Sequence, residues 1–422
     1  MEGQRKTATL SLLLIGLLVI GLSARRGELL LLAIPVALHL TVGIALASND
    51  RRPQFVVAKT LSRSLIREGD MVEVQVELEN RGRVLELVEV DDAPPAGLTL
   101  EDGFFRILGP LSHEKGLTLT YTVRARRGLY PLSTVRVRVG DLLGYVVWEE
   151  EVPCPAPLTV LPRYEELSRI EIRPSRTLIY SGTVRARRAG EGIEFFGTRE
   201  YVPGDNLRRL DWKAYARLGR LVVNEYEEER ASHVTVVLDA RERANRYRGE
   251  NSLFDYSVRA AAALCHYFLQ NGNRVGLLIY GTYLDWVMPG YGRRHDGCIM
   301  QALARADTGT TLVFEQLRYL PTRLFPRGSQ LILVSPLLPG DEEILCLLQF
   351  SGYKVLVIIP SPLTFESEGL QDTPEVHLAK RILSIERSAM LRRLSAATVR
   401  WLGWDVRHPL APQLKAMYGR VK

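Results

Sequence analysis

Residues 234–239, Val-Thr-Val-Val-Leu-Asp, constrain this chain more than any other stretch. The run lacks the alternation of a half-exposed strand, so it belongs in a sheet covered on both faces. The sequence that follows supplies the cover. Residues 253–270, 296–306, 341–351 and 379–401 read as helices, and 275–280, 331–335 and 355–360 as strands. Strands alternating with helices predict an α/β domain over 233–422, built on a doubly wound, mainly parallel sheet. Ligands of such sheets sit beyond the carboxyl ends of the strands, which lines Asp239, Tyr280, Ser335 and Pro360 along one rim.

Upstream the periodicity changes. Residues 71–78, 117–123 and 134–139 alternate apolar and polar residues, with turns at Asn80-Arg81-Gly82 and Arg127-Gly128 between them. That pattern predicts an antiparallel β-sandwich over 53–165. Two apolar runs open the chain, at about 7–22 and 29–47, separated by Arg25 and Arg26. The second, at ~1.5 Å per residue, reaches about 28 Å, and the pair of runs is expected to form a transmembrane helical hairpin anchoring 1–52. Arg5, Lys6, Arg51, Arg52 and Lys59 flank the outer ends, which places the bulk of the protein in the cytoplasm if the hairpin spans. At 422 residues the chain holds two or more domains. Its four cysteines are scattered without paired or zinc-like spacing, so no disulfide framework is expected.

Between these regions, 166–232 form a connector rich in charge. It carries Arg199-Glu200-Tyr201, Pro203-Gly204-Asp205, Leu207-Arg208-Arg209, Asp211-Trp212-Lys213 and Ala216-Arg217. In this order and spacing, the run resembles the signature of the domain-of-unknown-function-58 family. That resemblance implies a von Willebrand factor A-like domain after the signature. It further implies a membrane-anchored, non-enzymatic adaptor or scaffold, whose partner is a MoxR-type AAA+ ATPase of the kind often encoded beside such proteins.

Read from the residues alone, Pro203-Gly204-Asp205 is a turn in which Asp205 bonds backbone donors. Asp211 is expected to join Arg208, Arg209 and Arg217 in a charge network within a largely irregular segment. Tyr201 and Trp212 are packing anchors, or partner contacts if exposed. Asp205 and Asp211 can also be read as a catalytic pair; a hydrolase would need them to converge with Asp239 on one pocket. Glu225, Glu227 and Glu229 share parity and would line one face of a strand.

The resemblance also bears on metal chemistry. Von Willebrand A-like domains often hold a divalent cation through Asp-x-Ser-x-Ser after the first strand, a Thr, and a later Asp. Here the loop reads Asp239-Ala240-Arg241-Glu242-Arg243, and the later strand ends at Ser335; Thr308, Thr310 and Thr311 are the available threonines. Magnesium needs hard oxygen ligands, and two guanidinium groups repel it, so the site is expected to be degenerate and metal-free. Either arginines point to solvent, or Arg241 or Arg243 folds over Asp239 in place of a metal. No phosphate loop, dinucleotide fingerprint, zinc-protease helix or nucleophile elbow occurs, so no cofactor is expected. The net charge of +7 leaves anion binding by the arginine cluster, to lipid headgroups or nucleic acid, as the alternative. Nucleic acid is not the expected partner, since no base-stacking motif or DNA-reading helix accompanies the charge. His233 and His266 are expected to be packing or strand-edge residues.

Overall fold

The structure is a computed structural model that describes residues 2–25, 27–48, 52–113, 115–140, 147–167, 184–230, 233–248, 251–281, 284–310, 325, 329–367, 370–371 and 373–419. The chain divides into two compact units, 1–161 and 162–422.

The first unit begins with helices α1 (Glu2–Ser23) and α2 (Gly27–Ser48). The transmembrane reading is corrected here: among the described residues, no helix is long and apolar enough to cross a membrane. Both helices have 22 residues, so the shortfall lies in how much of each is apolar: α1 opens with Glu2, Arg5 and Lys6, and α2 carries Glu28 in its first turn. The first apolar run has 16 residues, roughly 24 Å of helix, against a hydrocarbon core of about 30 Å. The second has Pro35 inside it.

Strands follow as β1 (Phe55–Leu61), β2 (Leu65–Arg67), β3 (Met71–Asn80), β4 (Leu85–Asp91), β5 (Leu98–Gly103), β6 (Arg106–Leu111), β7 (Gly116–Ala125), β8 (Gly128–Tyr130), β9 (Thr134–Gly140), β10 (Val147–Pro153) and β11 (Leu158–Leu161). They form antiparallel sheets β1-β3-β7-β5 and β10-β9-β4-β6, and a mixed sheet β2-β11-β8 in which β11 runs parallel to β2. Alternation sets the register: Val72, Val74, Val76 and Leu78 of β3 all turn inward and share one core with Val88, Val90, Val135 and Val137 from the other sheet. A one-residue slip would carry that whole set to solvent. Two charged residues also occupy inward places. Lys59 donates to Asp92 Oδ1 at 2.8 Å, to Leu132 O at 3.3 Å and to Thr134 O at 3.2 Å, and the Tyr121 hydroxyl donates to Asp92 Oδ2 at 2.9 Å.

The second unit contains β12 (Val184–Glu200), α3 (Trp212–Leu218), β13 (Val222–Arg230), β14 (His233–Asp239), β15 (Tyr247–Arg248), β16 (Asn251–Ser252), α4 (Leu253–Gln270), β17 (Arg274–Tyr280), β18 (Leu284–Gly290), α5 (Arg293–Arg305), β19 (Gln330–Val334), α6 (Asp341–Phe350), β20 (Lys354–Pro360), α7 (Pro362–Glu366), α8 (Pro374–Ala396), β21 (Arg400–Trp404) and α9 (Leu410–Gly419). Its main sheet has the order β18-β17-β14-β19-β20-β21. Five strands are parallel; the edge strand β18 runs antiparallel to β17, with a break in register between Val275 and Leu277. One parity of side chains, Val237, Leu278, Leu333 and Val357, packs with Leu345 of α6 and Met390 and Leu394 of α8. The other parity, Val236, Leu238, Leu277 and Ile332, is equally buried, and α4 lies across β14 and β17.

Two expectations change. The helix expected over 379–401 ends at Ala396, and residues 400–404 form the edge strand β21. The chain reverses through Thr398 at φ +58°, a conformation that a β-branched residue rarely adopts and that an apolar pattern does not reveal. The connector is not irregular either. β12 and β13 pair antiparallel, with Thr198 opposite Asn224, Arg199 opposite Val223 and Glu200 opposite Val222.

Candidate functional site

At the carboxyl rim of the six-stranded sheet, the chain leaves β14 and turns back on itself. Arg241 N donates to Asp239 Oδ1 at 2.9 Å, so the turn and the carboxylate fix one another. The Arg241 side chain then folds over the same group, with Nε to Oδ1 at 3.0 Å and Nη2 to Oδ2 at 2.8 Å. The far side of the guanidinium forks onto Asp341, the first residue of α6, with Nη1 to Oδ1 at 3.0 Å and Nη2 to Oδ2. Ser335, just beyond β19, donates its hydroxyl to Asp239 Oδ2, and Leu338 N donates to Asp341 Oδ2 at 2.8 Å. Asn245 holds the loop from beneath, through Nδ2 to Asp239 O at 2.8 Å. The guanidinium carbon lies 5.5 Å from the Tyr280 ring centre, within cation–π range.

The arrangement is sealed. Asp239 is fully buried, and the side chains of Arg241 and Asp341 are 11% and 7% exposed. Burial alone would lower the Arg241 pKa, but hydrogen bonds to Asp239 and Asp341 outweigh it and hold the guanidinium further into its charged form. Burial, with the Asp239 charge beside it, pushes the Tyr280 hydroxyl well above its usual range, so it stays protonated. Of the two arginines flagged in the loop, only Arg241 folds inward; Arg243 is exposed. Thr308 hydrogen-bonds the Tyr247 hydroxyl, and Thr311 lies outside the described residues. Among the described residues no group of three or more His, Cys, Asp or Glu is arranged to hold a metal ion.

The signature forms a second, outward-facing feature. Arg199 clamps Asp205 with two parallel bonds, Nη1 to Oδ2 at 2.7 Å and Nη2 to Oδ1 at 2.8 Å, while Val202 N donates to Oδ2 at 2.9 Å. Hydrogen bonding from Arg199 is the main cause that lowers the Asp205 pKa to about 2. Gly204 sits at φ +111°, which admits glycine far more readily than any residue with a Cβ. The expected network around Asp211 is replaced by a helix cap: Oδ1 accepts from Lys213 N and Ala214 N, both at 3.0 Å. Gly219, left-handed at φ +67°, closes the other end.

Between those caps α3 buries none of its side chains. Trp212 is 64% exposed and Leu218 57%, with Tyr215 exposed between them and Leu207 exposed just before. At 100° per residue, Trp212, Tyr215 and Leu218 form one stripe and Lys213 and Arg217 the opposite side. Arg208, Lys213 and Arg217 are exposed and have no carboxylate partner among the described residues, Arg209 is half-buried, and Arg220 pairs with Glu200. Among the described residues the helix is held at its base, where Leu210, Val222 and Val223 are buried and Asp211 N bonds Val222 O at 2.9 Å. Tyr201 is half-buried at the same base, its N donating to Leu221 O at 3.0 Å. The side chains of Glu225, Glu227 and Glu229 lie outside the described residues.

The three carboxylates of the hydrolase reading therefore have separate employments. Asp205 binds Arg199, Asp211 caps α3, and Asp239 holds Arg241 and Ser335. His266 does more than pack, since Nδ1 lies 3.0 Å from Asp296 Oδ2, and its ring lies tilted against Tyr164 with centroids 4.7 Å apart. Sequence reasoning missed Asp341, which stands 100 residues from Arg241; the available signal was an acid at a helix start directly after Pro339-Gly340 on the same rim.

Residues 197–361 match the family described as protein of unknown function DUF58. Uncharacterized protein YeaD of Bacillus subtilis strain 168 is 24% identical over 314 residues, covering 72% of this chain and 75% of that protein. Uncharacterized protein Rv1480 of Mycobacterium tuberculosis H37Rv is 31% identical over 116 residues, covering 27% of this chain and 37% of that one. Among solved structures, the CARDB domain of a Pyrococcus furiosus protein covers 26% of this chain and 93% of its own at 14% identity, with a TM-score of 0.19.

Proposed function

From the premise that this chain belongs to the DUF58 family through residues 197–361, we propose that it is a non-enzymatic protein-interaction module whose docking element is α3. One observation carries the reading: a two-turn helix capped at both ends that buries no side chain. Isolated helices this short do not hold themselves together in water, so Asp211, Gly219 and the β12–β13 base preserve a shape the core does not use. What they preserve is an aromatic and aliphatic stripe on one side of α3 and the exposed cations Lys213 and Arg217 on the other, with Arg208 exposed just before the helix. Trp, Tyr and Arg are the residues that most often carry interface energy, and the cations select an acidic surface.

The family resemblance supplies the candidate partner, a MoxR-type AAA+ ATPase, and treats the six-stranded sheet as a von Willebrand factor A-like domain. Such domains often bind a divalent cation at that rim; here Arg241 turns its donors inward onto Asp239 and Asp341, which supports looking for the docking element elsewhere, at the signature. Purified ATPase should bind the immobilised full chain and lose at least tenfold in affinity to Trp212→Ala and to Lys213→Glu/Arg217→Glu. Both variants should keep their unfolding free energy within about 0.5 kcal/mol, as expected for exposed sites. Equal binding by all three proteins, or no binding by any, would remove the reading. The same exposed cations favour a second reading, anion capture; an affinity that falls steeply with salt and survives Trp212→Ala would select it.

A further inference from the structure

The family resemblance implies a divalent cation at the rim, and the residues present do not fit one. A hard cation would need oxygens from Asp239, Ser335 and Asp341 converging on an open position. Those oxygens do converge, but the guanidinium of Arg241 lies on them: both oxygens of each carboxylate accept from this one side chain. The groups holding the carboxylates in place are independent of Arg241's head, with Ser335 on Asp239 and Leu338 N on Asp341. We infer that Arg241 is a built-in cation, standing where a divalent ion would otherwise be required, and that the rim is tied together without metal.

Two consequences follow from charge alone. One guanidinium faces two carboxylates, so deleting it leaves two buried like charges in the rim, held a few ångströms apart by their other bonds. An uncharged, shorter side chain at 241 also frees the space between them. The vacated position offers two carboxylates and the Ser335 hydroxyl, the hard oxygen set that manganese and magnesium take.

The test is thermal unfolding of the full chain, of Arg241→Ser and of Arg241→Ser/Asp341→Asn, each with chelator and with millimolar Mn²⁺. The unaltered chain should unfold at the same temperature in both conditions. Arg241→Ser should be destabilised in chelator and recover by several degrees in Mn²⁺, and the double variant should lose that recovery. Should Arg241→Ser fail to fold in either condition, Arg241→Gln, which keeps bulk and polarity without charge, is measured the same way. A midpoint of the unaltered chain that rises with Mn²⁺ overturns the inference. So does a single variant that folds and is indifferent to the ion, or a failure of both single variants to gain any structure from it.

Discussion

The two units each bury a basic side chain against carboxylate, and they do so differently. In the sandwich, one cation meets one anion: the side chains of Lys59 and Asp92 are 0% and 3% exposed, and Leu132 O, Thr134 O and Tyr121 satisfy what remains. At the rim, one cation is shared by two anions far apart in sequence, one ending β14 and the other opening α6. The first is a closed, balanced pair inside a core. The second carries surplus negative charge and cross-links β14 to α6, so its cation cannot be removed together with a single partner and leave neutrality behind.

The largest effect that would sharpen this contrast lies in the sandwich. Asp92→Ala strands Lys59 uncompensated in the core and should cost about 3–5 kcal/mol in a urea titration. Replacing the pair together, as Lys59→Met/Asp92→Leu with Tyr121→Phe, should cost less than the single change, because balanced ion pairs exchange well for apolar packing. A triple variant as unstable as the single would break the view of that pair as a closed structural unit.

The rim should respond more mildly to loss of one anion. Asp341→Asn leaves Arg241 its bonds to Asp239 and keeps an acceptor for Leu338 N, so the expected loss is about 1.5–3 kcal/mol, the range for hydrogen bonds to charged groups. A loss as large as that of Asp92→Ala would show that the two carboxylates act as one inseparable unit, and the distinction between the sites would fall.

The smallest effect is at the exposed Arg199–Asp205 clamp, which serves as the solvated reference for both buried sites. Its folded pKa of about 2 lies below the ordinary value near 3.9. A depressed carboxylate contributes stability that is present above about pH 4 and lost as pH falls toward 2. A carbon-detected NMR titration of the Asp205 carboxyl should therefore give a midpoint near the low end, returning toward the ordinary range in Arg199→Gln. An unmoved midpoint in that variant would assign the shift to the turn backbone instead.

Much of this was written in local pattern. Alternating burial in β3, β7 and β9 and the unbroken apolar face of β14 were legible because each residue's side is fixed by strand parity. Helix α4 was legible from end to end, since Ser252 caps a run whose inward positions are all small or apolar. The edge strand β18 was not, because its half-buried positions show no clean period. Nor was the pairing of Lys59 with Asp92, although both stand at inward parity with apolar neighbours, Phe55, Val57 and Leu61 for one and Val88 and Val90 for the other. The two apolar opening runs do not amount to membrane spans: among the described residues no helix is both long and apolar enough to cross. At the rim, Asp239 and the two arginines were legible from the loop, whereas the choice between Arg241 and Arg243, and the arrival of Asp341, depend on tertiary packing that no local window contains.

The antiparallel edge strand β18 has a further consequence for how copies of this chain meet one another. Pro289 offers no N–H to a neighbour, and its ring approaches Gly276, where a Cβ would come within 3.1 Å. The pairing with β17 is also out of register beside it, between Val275 and Leu277, and irregular pairing makes an edge a poorer template. A parallel sheet rich in valine, leucine and isoleucine would otherwise recruit a second chain by strand addition, and at this margin the proline and the break in register work against aggregation.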